Sequence, residues 1–327
     1  MDSIRRLADA VLYEGYILWP YRRSALKNQK RWTFGGVYPP AHSQEHPDDR
    51  AEMQTQCLLE GGDETTVEVA VRFLQVVERR VARRSANGLE FVDELTVAGV
   101  RHLPWDEAVE RETVVQVRCT DGETHVPISI EEDTQEERLE GEGAVVRSWE
   151  ALRGGIDVGT EKLDRSLQRL TVRVTNETRW SGAERADALR RTFCSTHVVL
   201  HSDSGAFVSQ TDPPPELSEA AAACANIGAW PVLLGEEGAR DTMLAAPIVI
   251  PDYAQIAPES PGDLFDAGEI DRLLILNVLS LTEAEQEEMR ATDPRAREIL
   301  DRCAALGPEE LLPLHGAIRE FRPAAAE

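Results

Sequence analysis

The sequence predicts a mostly β protein: an antiparallel, sandwich-like core with a helical C-terminal region, α+β overall. Three observations carry that expectation. Several segments alternate apolar and polar residues at period two, as strands with one face in a core do. Turn signals separate them at short intervals, which suits antiparallel strands in two sheets. After Pro213-Pro214-Pro215 the pattern gives way to helix caps and stops. The boundary falls near residue 255, with a β-rich unit over 1–255 that carries a short N-terminal helix, and a mainly helical region over 256–327 packed on it.

In chain order, residues 3–14 place Ile4, Leu7, Ala8 and Val11 at helical spacing, with Ser3 as cap and Gly15 as stop. Residues 16–19 and 31–37 read as strands, and 39–50 as a polar loop. Residues 53–59 form a strand, and 66–77 another, with Val67, Val69, Val71 and Phe73 on one face. Residues 113–119 and 125–130 flank Asp121-Gly122, a hairpin signal. Residues 131–142 are acidic and read as a solvated loop. Residues 167–175 align Leu170, Val172 and Val174, and 193–201 turn through Ser202-Asp203-Ser204-Gly205 into 206–210. Residues 216–226 read as a helix stopped near Gly228, and 230–234 and 245–250 as short buried strands. Thr282 with Glu285 makes a capping box, Asp293-Pro294 an N-cap followed by proline, and Gly307-Pro308 opens a last helix.

Composition narrows the function. With 35 Lys+Arg against 59 Asp+Glu the net charge is −24, which opposes phosphate backbones and anionic membranes. The expectation is therefore no nucleic acid and no membrane partner. The charge is uneven, however. Residues 1–34 hold seven bases and three acids, +4, on a remainder of −28. No stretch has the ~18 consecutive apolar residues of a membrane span, and no signal peptide is visible. The five cysteines are scattered without a CxxC pair. They read as free thiols of a reducing compartment, hence a cytoplasmic protein, and argue against zinc ribbons and iron–sulfur clusters.

No Walker loop, GxGxxG, HExxH, GxSxG or EF-hand loop occurs. The nearest approach to a metal set is Cys194-x-x-His197-x-x-x-His201. On a strand the two histidines share a face and Cys194 takes the other, which leaves two ligands; core residues with satisfied polar groups are the plainer reading. His42 and His46 have the same spacing in what reads as a solvated loop. A Ser195/His197/Asp203 triad can be drawn, although neighbours along one strand rarely converge. Acids over 252–271, Asp263 and Asp266 among them, could hold a hard cation, but helix capping explains them as well. No cofactor is expected, and a metal at His197, His201, Asp263 or Asp266 is a weak candidate.

The N-terminal segment differs in kind. Tyr13, Tyr16, Trp19, Tyr21 and Trp32 lie among Arg22, Arg23, Lys27, Lys30 and Arg31. Aromatic and arginine side chains anchor protein interfaces, so these residues, from Tyr16 to Trp32, are the candidates for partner binding. The alternative is that the aromatics join the core and the bases pair with the chain's own acids.

The blocks LADAVLYEGYILWPYRRSALKNQKRWTFGGVYPP, MQTQCLL, STHVVLHSDSGAFVSQTDPP, PIVIPDYAQIAPESPGDLFDAGEIDRLLIL, EMRATDPRAREILDR and LHGAIRE resemble an uncharacterised bacterial family encoded with uptake [NiFe]-hydrogenases of the actinobacterial type. They touch both ends and the middle of the chain. The resemblance implies a cytoplasmic accessory protein for hydrogenase assembly, maturation or function, a scaffold or chaperone with a hydrogenase subunit as partner. It supplies no catalytic residues. The chain lacks a Met-His-Glu start, an N-terminal Met-Cys motif and zinc CxxC pairs, so it does not resemble the general nickel-insertion or cyanide-ligand factors. Two alternatives stand beside this reading: a metal-handling protein or enzyme using His197 and His201 or the acidic segment, and an interaction module unrelated to hydrogenase. The residues leave the oligomeric state open.

Overall fold

The computed structural model describes residues 2–13, 21–25, 34–254, 275 and 277–306. Helix α1 (Asp2–Tyr13) and the short α2 (Pro40–Glu45) precede the strands. There follow β1 (Glu52–Glu60), β2 (Thr66–Ser85), β3 (Gly88–Val92), β4 (Leu95–Val97), β5 (Val100–His102) and β6 (Trp105–Arg118). The middle of the chain supplies β7 (Thr124–Ile130), β8 (Asp133–Arg138), β9 (Gly143–Trp149), β10 (Leu152–Asp164) and β11 (Leu167–Asn176). Helix α3 (Arg185–Leu189), β12 (Cys194–His201), β13 (Ala206–Phe207), α4 (Ser218–Ala222), β14 (Trp230–Leu233) and β15 (Thr242–Ala246) come next, and α5 (Glu283–Thr292) and α6 (Pro294–Ala304) close the described chain.

Two antiparallel sheets face each other. One has the order β13-β1-β11-β10-β7. The other runs β14-β15-β12-β2-β9-β8, with β6 and β3 also on β2. The inward residues are the ones alternation selects: Val67, Val69, Val71 and Phe73 from β2, and Leu170, Val172 and Val174 from β11, none more than 1% exposed. In-register pairing of Cys57 with Leu170 and Met53 with Val174 sets the β1 residues on the same layer. Each such side chain contributes roughly 1.5–3 kcal/mol on burial.

β2 outruns its expected end at residue 77 and reaches Ser85. Its far half leaves the sandwich and carries β3, β9 and β8, with a small core of Val81, Leu95 and Val145. The outer face of the large sheet is covered from both ends of the chain. Leu12 and Tyr13 of α1 share one cluster with Met289 of α5, Ile299 and Leu300 of α6, and Leu74 and Val76 of β2. The capping box at Thr282 and Glu285 and the Asp293 cap before Pro294 are both present. The C-terminal helices thus pack on the β-rich part.

Several expectations are corrected. The segments flanking Asp121-Gly122 do not pair with each other: β6 pairs with β2 and β7 with β10, so the turn carries the chain from one sheet to the other. The turn is real, with Gly122 at φ 74° and Asp121 Oδ2 accepting from the Arg118 N–H at 2.8 Å. The bond from the Cys119 N–H to the Thr65 carbonyl keeps the end of β6 on the β2 side. The acidic stretch is not only loop. β8 pairs in register with β9, Asp133 opposite Trp149 through Arg138 opposite Ala144, with all six side chains in solvent. The helix expected over 216–226 is reduced to α4 after one 3₁₀ turn, Pro215–Leu217. The strand expected over 206–210 has two residues, and the one over 245–250 lies at Thr242–Ala246. Residue 37 makes only an isolated bridge to Phe193, while the strand expected over 16–19 and the last helix after Gly307 lie outside the described residues. Among the described residues, no helix is long and apolar enough to cross a membrane.

Candidate functional site

The described part of the N-terminal segment is bound to the chain itself. Tyr21 is fully buried at φ 54°, sealed in the cluster under α5 and α6, which corrects its assignment to a partner surface. Arg22 pairs with Glu285 at 2.8 Å. The Arg23 N–H points at Thr292 Oγ1 at 3.4 Å, and Ser24 donates twice to Glu288. The Arg23 side chain borders a cavity of about 580 Å³ with Asp93, Arg101 and Glu288. Tyr16, Trp19, Lys27, Lys30, Arg31 and Trp32 lie outside the described residues, as do Asp263 and Asp266. Asp252, at the start of the acidic segment, accepts from the Leu233 N–H and from Ser209 Oγ.

His197 and His201 project from β12, where a bulge changes the expected geometry. Cys194 sits opposite Leu74 and His197 opposite Arg72, three residues against two, with Ser195 at φ 51°. The extra residue turns Cys194 onto the same face as the histidines, the reverse of the alternation argument. Convergence still fails, because four residues of strand separate the two imidazoles by about 13 Å. His197 is fully buried, its Nδ1 lies 3.1 Å from the Ser195 carbonyl, and burial pushes its pKa down to about 4. His201 lies between Thr242 Oγ1 and Asp203 Oδ1, at 3.0 and 3.1 Å. The Ser195/His197/Asp203 triad is therefore broken at both links: Ser195 Oγ donates to the Val11 carbonyl, and Asp203 meets His201. Among the described residues, no three His, Cys, Asp or Glu side chains form a metal-holding group.

The polar constellation that the structure does assemble lies at α2. Pro39 and Pro40 start this helix, and its His42 is buried at 1% exposure, not in a solvated loop. His42 Nε2 lies 2.8 Å from Asp49 Oδ2. Tyr38 stacks on the imidazole at 5.0 Å, His46 lies 4.5 Å away one turn on, and Trp180 approaches edge-on at 5.3 Å. His42 Nδ1 is buried without a hydrogen-bond partner among the described residues. Arg185, on α3, donates to the Tyr38 hydroxyl at 2.8 Å and faces Asp49 at 3.7 Å. Trp180 is itself fixed, since its indole N–H donates to Asp187 Oδ2 at 2.8 Å and Asp187 is gripped by Arg191. That bond needs Gly182, where a Cβ would come within 2.6 Å of the Asp187 carboxylate.

Trp180 and Ala41 join this cluster to an open groove of about 790 Å³, whose other borders include Gln44, Glu177, Arg179 and Arg191. Arg179 is exposed and makes no ion pair among the described residues. The sequence did hold signals for this site, in two prolines before the His-x-x-x-His spacing and an aspartate three residues beyond. What it could not show is that the loop after β11 brings Trp180 and Arg185 onto that helix. No family model, no curated protein and no solved structure matches the chain.

Proposed function

We propose that the protein is a non-enzymatic accessory protein that holds a protein partner, and that the groove beside α2 receives a segment of that partner. The observation that carries this reading is the groove's build: an open trough with a braced tryptophan at its wall and, on its rim, an exposed arginine that makes no ion pair among the described residues. Tryptophan and arginine are the commonest anchors of protein interfaces, and a fixed rotamer lowers the ordering cost of binding. The resemblance supplies the partner, a subunit of a [NiFe]-hydrogenase during its assembly, maturation or function. Arg22 is not part of this surface, since it pairs with Glu285.

The test is co-purification with the hydrogenase subunits. Capture is expected with the unaltered chain and lost with Trp180→Ala combined with Arg179→Glu, while the melting temperature stays near that of the parent. Retained capture by the double variant would move the docking site elsewhere. A deletion strain with unchanged hydrogenase activity and metal content would sink the hydrogenase assignment.

A second reading, metal handling or catalysis, has one observation in its favour. With His42 Nε2–H donating its hydrogen bond to Asp49, Nδ1 keeps a bare lone pair inside an aromatic box next to the groove. Elemental analysis of protein loaded with Ni, Fe or Zn decides it: metal retained by the parent and lost in His42→Phe would replace the scaffold reading.

A further inference from the structure

Sheet edges expose unpaired backbone groups, and soluble proteins blunt them by recognised devices. Among the described residues, most edges of this protein follow that rule. β13 has two residues. β7 carries Pro127 and β14 carries Pro231. β8 is six exposed polar residues, mostly charged. β3 has five residues and begins with glycine. β6 is the exception. It is 14 residues long without proline, and β2 is its only described strand partner. Its second half reads Thr113-Val114-Val115-Gln116-Val117, with Val114 half exposed at 50%.

We propose that β6 pairs with β6 of a second copy of this chain, antiparallel about a two-fold axis at Val114. Two constraints narrow the register, and the exposure of Val114 centres it. A two-fold axis perpendicular to the sheet keeps each face on its own side, so residues of equal parity must pair. Centring on Arg111 or Glu112 would set like charges opposite each other, which is unfavourable. Centring on Val114 sets Val114 against its own copy and Thr113 against Val115. It also sets Glu112 against Gln116 and Glu110 against Arg118. The exposed valine then lies at the middle of the seam and opposite charges lie at its ends. Arg118 is exposed and has no ion pair among the described residues, and the Glu110 carboxylate keeps 39% of its surface in solvent. The turn at Asp121-Gly122 places the edge of the small sheet beside this seam, and Pro127 there leaves the pairing to the large sheet.

Sedimentation of the full chain across a concentration series tests the proposal. A dimer is expected, and Val114→Lys, which sets two ammonium groups opposite each other, should weaken it at least about tenfold. Arg118→Glu should weaken it less, with an altered salt dependence. In a Cys119→Ser/Cys224→Ser background, Val114→Cys should be joined to its copy by a short bis-maleimide, whereas Val109→Cys should not. A parent that stays monomeric, or a dimer that survives Val114→Lys, overturns the seam. A dimer whose Val114→Cys form does not cross-link overturns the register. Val114 is half exposed and packs in no core cluster, so a melting curve like the parent's shows that the lysine variant still folds.

Discussion

The two faces of the large sheet are built on different chemistry. The inner face meets the small sheet through a layer dominated by apolar side chains, with Phe73 stacked on Phe193 at 4.6 Å. The outer face meets α1, α5 and α6 across a mixed layer. There Arg72, 4% exposed, holds Asp9, Glu110 and Glu112 at 2.5, 3.4 and 3.1 Å. Tyr13 donates to Glu110 at 2.7 Å, and the Arg295 guanidinium lies 3.2 Å over the Tyr13 ring. Farther along β2, beyond the sandwich and on the opposite parity, Arg79 donates to Glu107, to the Leu103 carbonyl and to the Ala291 carbonyl, and so also ties α5 to the sheet. The inner layer is non-directional and tolerates any apolar side chain of the right size. The outer layer is directional, so it fixes where the two chain ends sit.

That contrast can be broken from the inside first. Phe73→Ala removes a ring from the centre of the inner layer and should cost about 3–5 kcal/mol, read as a shift in denaturation midpoint at constant slope. Where the far half of β2 meets α5, Arg79→Ala strips three acceptors at once. It should cost about 3 kcal/mol and, unlike the core change, should first loosen α5, seen as faster amide exchange in 283–292 with β2 still protected. Equal exchange in both elements would show that the two layers do not differ in kind.

The outer layer should also respond to pH where the inner one cannot. His197 is buried neutral with a pKa near 4, against an ordinary value of 6.5, because burial outweighs its bond to the Ser195 carbonyl. The unfolded chain therefore takes up this proton first as the pH falls. Stability from this group is complete above pH 6.5 and drains away down to about pH 4, amounting to about 2 kcal/mol by pH 5. His197→Gln should flatten that part of the stability–pH curve. An unchanged slope would show that His197 is not the group titrating.

How much of this was legible depends on the physics in play. Alternation found the inner layer because period two reports only whether one face is apolar, as at Val67, Val69, Val71 and Phe73. The same signal is silent about which strand a segment pairs with, so β6 and β7 read as a hairpin although they belong to different sheets. It also fails wherever one residue is added: the bulge at Ser195 inverted the assignment of Cys194. His42 was misread for another reason. A histidine near polar neighbours reads as solvated unless its partners are known, and Trp180 and Arg185 come from a segment far along the chain from Tyr38 and Asp49. Charge arithmetic showed a basic N-terminus on an acidic body but could not show that Arg22 would meet Glu285.

That last contact gives the smallest and sharpest test of what holds the chain ends. Glu285 is shared between the capping box and Arg22; hydrogen bonds from Thr282 come first in holding its carboxyl below the usual range, and Arg22 adds to them. Thr282→Ala should destabilise the protein by about 1 kcal/mol through the lost cap. Arg22→Ala should cost less, because a solvent-exposed ion pair is screened. The double change should be less than additive, since removing the cap frees Glu285 from the geometry in which it meets Arg22. Strict additivity would mean that the basic segment sits on α5 without depending on it. Arg22 would then be available to an acidic partner at little expense to the fold.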